Sequence, residues 1–266
     1  MKIQLQYANN ARDLGGIVTA YGTIKQHKLL RSGELSRINA SDAQTLLDDG
    51  LQCIIDLRTP TEISARPDIQ IKGVDSLNIS IIRATTFGIS YETLDGKQIA
   101  EKLEAGFQRM SERGETYSEH MQILYRNFIR DEHCRIKYGE FLKTLANRPI
   151  NGAYLWHCSM GKDRVGTCTA LLLHILGADK QDIMTDYLLT NEQTRENTRS
   201  ILYKVMPYIS EERLNIVESM LLVSKSYLET FWEEINLQYG SIDKFIEQCG
   251  VTEQDKLNLR ANYLIM

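Results

Sequence analysis

The sequence predicts an α/β fold, with a small, mostly parallel central sheet flanked by helices and a helix-rich C-terminal half. Three observations carry that reading. Leu51–Leu57 (LQCIIDL) and Ala153–Trp156 (AYLW) are short apolar runs bounded by turn residues, as buried strands are. Val165–Leu176 is a longer, strongly apolar stretch stopped by Gly177, which fits a helix buried on most of its surface. Beyond Asp179 almost every segment has helical spacing.

Taken in order, Ser41–Leu47 reads as a helix because Ser41 and Gln44 have capping-box spacing and the pattern ends at Gly50. The Leu51–Leu57 strand follows and stops before Pro60, and a second strand is expected near Leu77–Ile81. Gln98–Asn147 is helical in pattern, with Ile123, Leu124, Asn127 and Phe128 at helical spacing and Gly106, Gly114 and Gly139 as its few breakers. A turn at Pro149, Asn151 and Gly152 leads into the third strand, Ala153–Trp156. Asp179 is the expected N-cap of a helical run continuing through Asp186–Arg195, Ile201–Met206, Leu214–Leu222, Tyr227–Leu237 and Thr252–Leu264. No repeat or Pro/Gly/Ser linker divides the chain, so residues 1–266 read as a single domain.

At 266 residues the chain can bury a sizeable core, and its formal charge of -4 argues against a broadly basic nucleic-acid-binding surface. Residues 1–30 show no continuous apolar segment of the kind found in signal peptides, and no run approaches the length of a membrane span. A cytoplasmic location is the expectation, with non-classical secretion left open. Cys53, Cys134, Cys158, Cys168 and Cys249 are odd in number and include no C-x-x-C pair, which speaks against a disulfide framework and a structural zinc site. Cys53 and Cys168 lie in apolar segments and read as small core residues.

The chemistry-bearing segment is His157, Cys158, Ser159, Met160, Gly161, Lys162, Asp163, Arg164. Cys158 and Arg164 have C-x5-R spacing, weak by itself, but a strand leads in and an apolar helix leads out. Backbone N–H groups of such a loop and the helix dipole can hold a phosphate dianion without a metal, and the same field favours thiolate over thiol at Cys158. Arg164 suits bidentate holding of two phosphoryl oxygens. Ser159, Met160, Gly161 and Lys162 are then the phosphate-binding residues. The implied reaction is attack of Cys158 on phosphorus followed by hydrolysis of a thiophosphate. Asp163 is the nearest acid for the leaving group, its alternative role being an N-cap, and His157 orients the loop. No metal or other cofactor is required.

HCSMGKDRVG resembles the HCxxGKDRTG loop of the bacterial atypical tyrosine phosphatases, a group that includes lipid-active members. Asn10–Gly16 (NARDLGG), Leu30–Gly33 (LRSG), Ile55–Arg58 with Glu62, Tyr187–Asn191 (YLLTN) and Tyr239–Ser241 (YGS) resemble further segments of that family. The resemblance covers nearly the whole chain and is weakest from about Arg83 to Ile150. It implies a cysteine-phosphatase-like fold, tyrosine phosphatase activity with tolerance for phosphoserine, phosphothreonine or phosphoinositides, Asp163 as general acid, and no metal. It associates Lys162 with phosphoinositide turnover and places a lid in the helices of about 198–237, whose apolar stripes otherwise read as core. The implied partners are a phosphorylated protein or a phosphoinositide. Arg12, Asp13, Asp56 and Arg58 are either substrate or supporting contacts or a fold-stabilising ion-pair network, and Asp56 is the reserve candidate for the acid. A phosphoinositide phosphatase, a rhodanese-like sulfurtransferase, an arsenate reductase and a non-catalytic phosphate-binding module are the rival readings.

One position departs from the pattern: Val165 stands where the family usually has Thr or Ser, whose hydroxyl helps stabilise the departing thiolate. Slow thiophosphate hydrolysis is therefore expected, seen as a burst of leaving group in rapid-mixing assays. Linear release from the first turnover would contradict it.

Overall fold

The computed structural model describes residues 2–84, 96–149 and 151–265. Its central sheet runs in the order β1 (Arg12–Asp13), β4 (Leu29–Ser32), β7 (Ala153–His157), β5 (Leu51–Asp56), β6 (Asp75–Asn78), parallel throughout except for β1 at one edge. A small antiparallel sheet joins β2 (Val18–Thr19), β3 (Gly22–Ile24) and β8 (Leu264–Ile265).

The inner strands are apolar on both faces because both faces are covered. Ala153 and Leu155 of β7, with Leu51 and Ile54 of β5, pack into one core with Leu46 of α1 (Ala40–Asp48) and the N-terminal Ile3 and Ala8. Tyr154 and Trp156, with Cys53 and Ile55, face the larger core on the other side. That core is built by α3 (Gly96–Glu112), α4 (Tyr117–Arg130), α5 (Glu132–Asn147), α6 (Asp163–Ile175), α7 (Lys180–Gln193) and the C-terminal helices. Trp156 stacks edge-on to Phe141 of α5 and donates its indole N–H to Thr169 of α6 at 3.1 Å, tying strand to helices.

Several boundaries differ from expectation for identifiable reasons. The first helix is capped by Asn39, not Ser41: Asn39 has an extended backbone and its side-chain oxygen accepts from the Asp42 N–H. The Leu77–Ile81 strand lies earlier, at Asp75–Asn78, where an edge position pairs backbone while leaving polar side chains exposed. The 98–147 stretch is three helices, broken at Gly114, whose φ is +66°, and at Asp131, which accepts from the His133 N–H to start α5. β1–β4 and β8 span two to four residues each, too few for a periodic signal.

After α7 come α8 (Arg195–Val205), α9 (Glu211–Leu221), α10 (Lys225–Tyr239), α11 (Ile242–Gln248) and α12 (Glu253–Tyr263). Within the stretch expected to hold a lid, α10 is embedded: Leu228, Phe231 and Ile235 are fully buried. α8 and α9 lie on the surface of the larger core, burying only Thr198, Ile201, Val205, Val217, Met220 and Leu221.

α7 is fixed to the sheet by charge. Asp186 accepts from Arg12 Nε at 2.8 Å and from Arg31 Nη1 at 2.5 Å, all three side chains being buried. Its carboxyl is held below the usual range: burial opposes this, but the two guanidinium groups prevail. Asp186→Asn should leave two buried guanidinium groups undercompensated and cost about 3 kcal/mol, measurable by urea unfolding at neutral pH.

Candidate active site

Ser32 of β4, His157 of β7 and Asp56 of β5 are level across the sheet at the C-terminal ends of their parallel strands. Ligand sites of open α/β sheets form at that edge. The chain leaves β7 through Cys158–Lys162 and enters α6 at Asp163, so the C-x5-R segment is a loop from a strand end to the N-terminus of a thirteen-residue helix.

The loop is shaped by its contacts. Gly161 has φ +66°, and a Cβ there would lie 2.4 Å from the Ser32 carbonyl oxygen, so both conformation and space demand glycine. Its carbonyl accepts from Asn10 Nδ2 at 2.7 Å and from Arg31 Nη2 at 2.9 Å. Asn10 also lies 3.5 Å from the Met160 carbonyl, and the Ser159 carbonyl accepts from the Glu34 N–H at 3.2 Å. Three consecutive carbonyls are thus engaged by surrounding groups, the arrangement that leaves a loop's N–H groups free to converge on an anion.

Arg164 is fully buried and pairs with Glu62 of α2 (Pro60–Ala65) through a fork, Nη1 to Oε2 at 2.7 Å and Nη2 to Oε1 at 2.9 Å. Glu62 also accepts from Ser159 Oγ at 2.7 Å and, as part of a capping box, from the Thr59 N–H at 2.9 Å. Burial alone would raise the Glu62 carboxyl, but the Arg164 fork, Ser159 and Thr59 hold it well below the usual carboxylate range. Arg164 Nε is buried with no hydrogen-bond partner among the described residues.

Cys158, Ser159, Met160, Lys162 and Asp163 are all buried. Asp163 is the first residue of α6 rather than its cap; Lys162 occupies the cap position without a side-chain capping bond. Asp163 Oδ1 accepts from Tyr125 Oη of α4 at 2.9 Å, and Oδ2 lies 3.6 Å from Lys162 Nζ. Lys162 donates to the Met220 carbonyl at the end of α9 at 2.6 Å, joining that helix to the loop. Beside Ser159, a cleft of about 190 Å³ opens between Asn9, Gly33 and Arg37 on one side and Asn197, Ile201 and Lys204 of α8 on the other. Val165 is fully buried in the same core as Cys158.

The remaining sequence-selected residues separate. Arg12 joins Asp186 and, through its other nitrogens, Asn10 and the Asp186 carbonyl, so it supports the residue that holds Gly161. Asp13 accepts from the Gly15 and His27 N–H groups and shapes a turn. Asp56 takes the Arg58 guanidinium through Nε and Nη2. Asp68, which no motif had marked, meets Arg58 at 2.9 Å and His157 Nε2 at 2.9 Å, the latter an ion pair by distance without hydrogen-bond alignment. Burial would lower the His157 imidazole, but Asp56 and Asp68 raise it above its ordinary value. Asp56, Asp68 and His157 are the one group among the described residues whose spacing could suit a metal ion, and the Arg58 guanidinium already bonds both carboxylates. Glu62, Asn10 and Arg31 belong to segments that resemble the family but carry no role readable from spacing, except that Thr59-x-x-Glu62 has capping-box spacing. Tyr125 and Met220 carry no local signal, since only tertiary packing brings α4 and α9 to the loop.

The site is thus a strand-to-helix loop with a buried cysteine, a buried arginine six residues later and carbonyls tied to surrounding groups. Residues 3–265 match the model of the tyrosine phosphatase family, and the chain belongs to that family. It is 27% identical to a candidate tyrosine-protein phosphatase of Cupriavidus necator over 96% of this chain and 86% of that one. It is 25% identical, over 94% of both chains, to the triple specificity protein phosphatase PtpB of Mycobacterium tuberculosis. A tyrosine-protein phosphatase of Nostoc commune is 26% identical over 60% of this chain and 47% of its own. The protein is accordingly an enzyme of the protein-tyrosine phosphatase class.

The depressed Glu62 carboxyl has a stability consequence. A group lowered in the folded state contributes above its unfolded pKa, about 4.3, and loses that contribution as pH falls through the folded value. Glu62→Gln should therefore be less stable than the parent by about 3 kcal/mol at pH 7, with the gap narrowing steadily below about pH 4. Urea unfolding at a series of pH values reads both.

Proposed function

We propose that this protein hydrolyses phosphotyrosine monoesters, with activity extending to phosphoserine and phosphothreonine, through a phosphocysteine intermediate on Cys158. The observation that carries the reading is the buried Arg164: both Nη atoms are locked by Glu62 while Nε is left without a partner beside the loop. A buried guanidinium donor left unsatisfied is costly unless a ligand completes it, and an oxygen of a phosphoryl group does so.

Phosphate is held by the loop N–H groups of Ser159 to Arg164, by the α6 dipole and by Arg164. Cys158 Sγ attacks phosphorus; the S–P bond forms as the ester O–P bond breaks, and Asp163 gives its proton to the departing oxygen. Asp163 then takes a proton from water as its oxygen attacks phosphorus, and Cys158 leaves as thiolate with inorganic phosphate as product. Glu62 and Ser159 hold the fork of Arg164, and His157 fixes the strand end from which the nucleophile projects.

A phosphoinositide phosphatase on the same loop is the second reading, favoured by the Lys162 ammonium between Asp163 and the α9 carbonyl, a cation that an additional phosphate would attract. The name of the M. tuberculosis relative, a triple specificity phosphatase, also favours breadth of substrate. Residues 1–266 are taken as a single catalytic domain, with α8 and α9 as the lid: Lys162 connects the loop to α9, and α8 walls the cleft beside Ser159.

A pH–rate profile on an aryl phosphate tests the assignment. Cys158→Ser should abolish turnover, Asp163→Asn should flatten the basic limb, and Asp56→Asn should keep it. Loss of the limb in Asp56→Asn instead would move the acid to Asp56. Turnover of tyrosine phosphopeptides against phosphoinositides separates the two substrate readings.

A further inference from the structure

Asp163 is not held by groups of its own loop alone. Tyr125 Oη of α4 lies 2.9 Å from Asp163 Oδ1, and Tyr187 Oη of α7 lies 2.7 Å from Tyr125 Oη, all three side chains being buried. Each hydroxyl has one proton to donate, so facing an ionised Asp163 the order is set: Tyr187 donates to Tyr125, and Tyr125 donates to Oδ1. Burial first and the nearby Asp163 carboxylate second push both phenols well above their ordinary value, so Tyr125 stays a donor rather than an anion. The rings are themselves fixed. Tyr125 packs edge-on to Tyr187 and at a tilt against Phe128 and Tyr227.

We infer that Tyr125, backed by Tyr187, is the positioning residue of the acid: it claims Asp163 Oδ1 and leaves Oδ2, 3.6 Å from a Lys162 ammonium that donates to the Met220 carbonyl, as the atom that carries and delivers the proton. The inference rests on Asp163 being the acid proposed above. In the first displacement the Oδ2 proton passes to the ester oxygen as the O–P bond breaks, and the new carboxylate is met at Oδ1 by a hydroxyl already in place. In the second, Oδ2 recovers a proton from the attacking water. A donor oriented before the charge appears costs no reorganisation when it appears. The chain of hydroxyls also explains a residue pair split across the sequence. Tyr187 begins the Tyr-Leu-Leu-Thr-Asn segment, whereas Tyr125 lies where family resemblance is weakest, and only tertiary packing brings their hydroxyls together at the start of α6.

Removing the Tyr125 hydroxyl disfavours the carboxylate, so the basic limb of the profile should move to higher pH. Rates should fall most where the leaving group most needs a proton. Tyr125→Phe is expected to raise the basic limb by about one pH unit and to lower kcat about tenfold on an alkyl phosphate, with much less effect on 4-nitrophenyl phosphate. Tyr187→Phe should do the same more weakly, and Tyr125→Phe should add nothing in an Asp163→Asn background. Unchanged competitive inhibition by inorganic phosphate reports an intact loop. If Tyr125→Phe keeps the parental limb, or slows both substrates equally, while Asp163→Asn loses the limb, the positioning role is refuted and the acid assignment stands. If Asp163→Asn keeps its limb, the acid assignment itself falls.

Discussion

A guanidinium withdrawn from water has to be paired, and the pairing of Arg164 with Glu62 governs the geometry around it. The fork joins α6 to α2, and because Glu62 also receives Ser159 and the Thr59 N–H, one carboxylate sets the start of α2, the middle of the loop and the plane of the arginine together. Burying such a pair contributes little net stability, since desolvation offsets attraction; what it provides is a single arrangement. The benefit lies in precision, where a displacement of one ångström separates a bound phosphate from a reacting one.

The same logic extends along the C-terminal edge of the sheet. Asp186 between Arg12 and Arg31, and Arg58 between Asp56 and Asp68, are buried ion pairs at strand ends. Arg31 and Asn10 transmit the first of these clusters to the Gly161 carbonyl, and His157, the residue before Cys158, meets the second through Asp68. The loop is therefore braced from both neighbouring strands. The Gly161 carbonyl cannot turn inward without breaking a buried charge-assisted hydrogen bond from Arg31, and the Ser159 carbonyl cannot without losing the Glu34 N–H.

The fold was legible where side-chain pattern dictates it. β5, β7 and α6 lie close to where apolar runs place them because both faces of those strands and nearly all of that helix are buried. The N-terminal strands were not legible, since strands of two to four residues show no period, and the Ser41 capping box failed because the helix starts earlier, with Asn39 taking the Asp42 N–H and Ser41 lying inside the first turn. At the site, spacing marks Cys158 and Arg164, but what completes them comes from 30 to 150 residues away. Glu62 looks locally like a capping-box residue, Asp68 like a surface acid and Tyr125 like one aromatic of an amphipathic helix. Their partners are chosen by tertiary packing, which has no local pattern.

The second, smaller sheet bears on how the molecule is made. Its third strand is Leu264–Ile265, which pairs with Thr23 and Ile24, while Lys25 reaches back to the carbonyls of Ala261 and Asn262. Contacts so distant in sequence carry a large loop-closure cost and slow folding. A ribosome-bound chain must therefore hold the outer edge of its β2–β3 ribbon unpartnered until Leu264 and Ile265 have emerged.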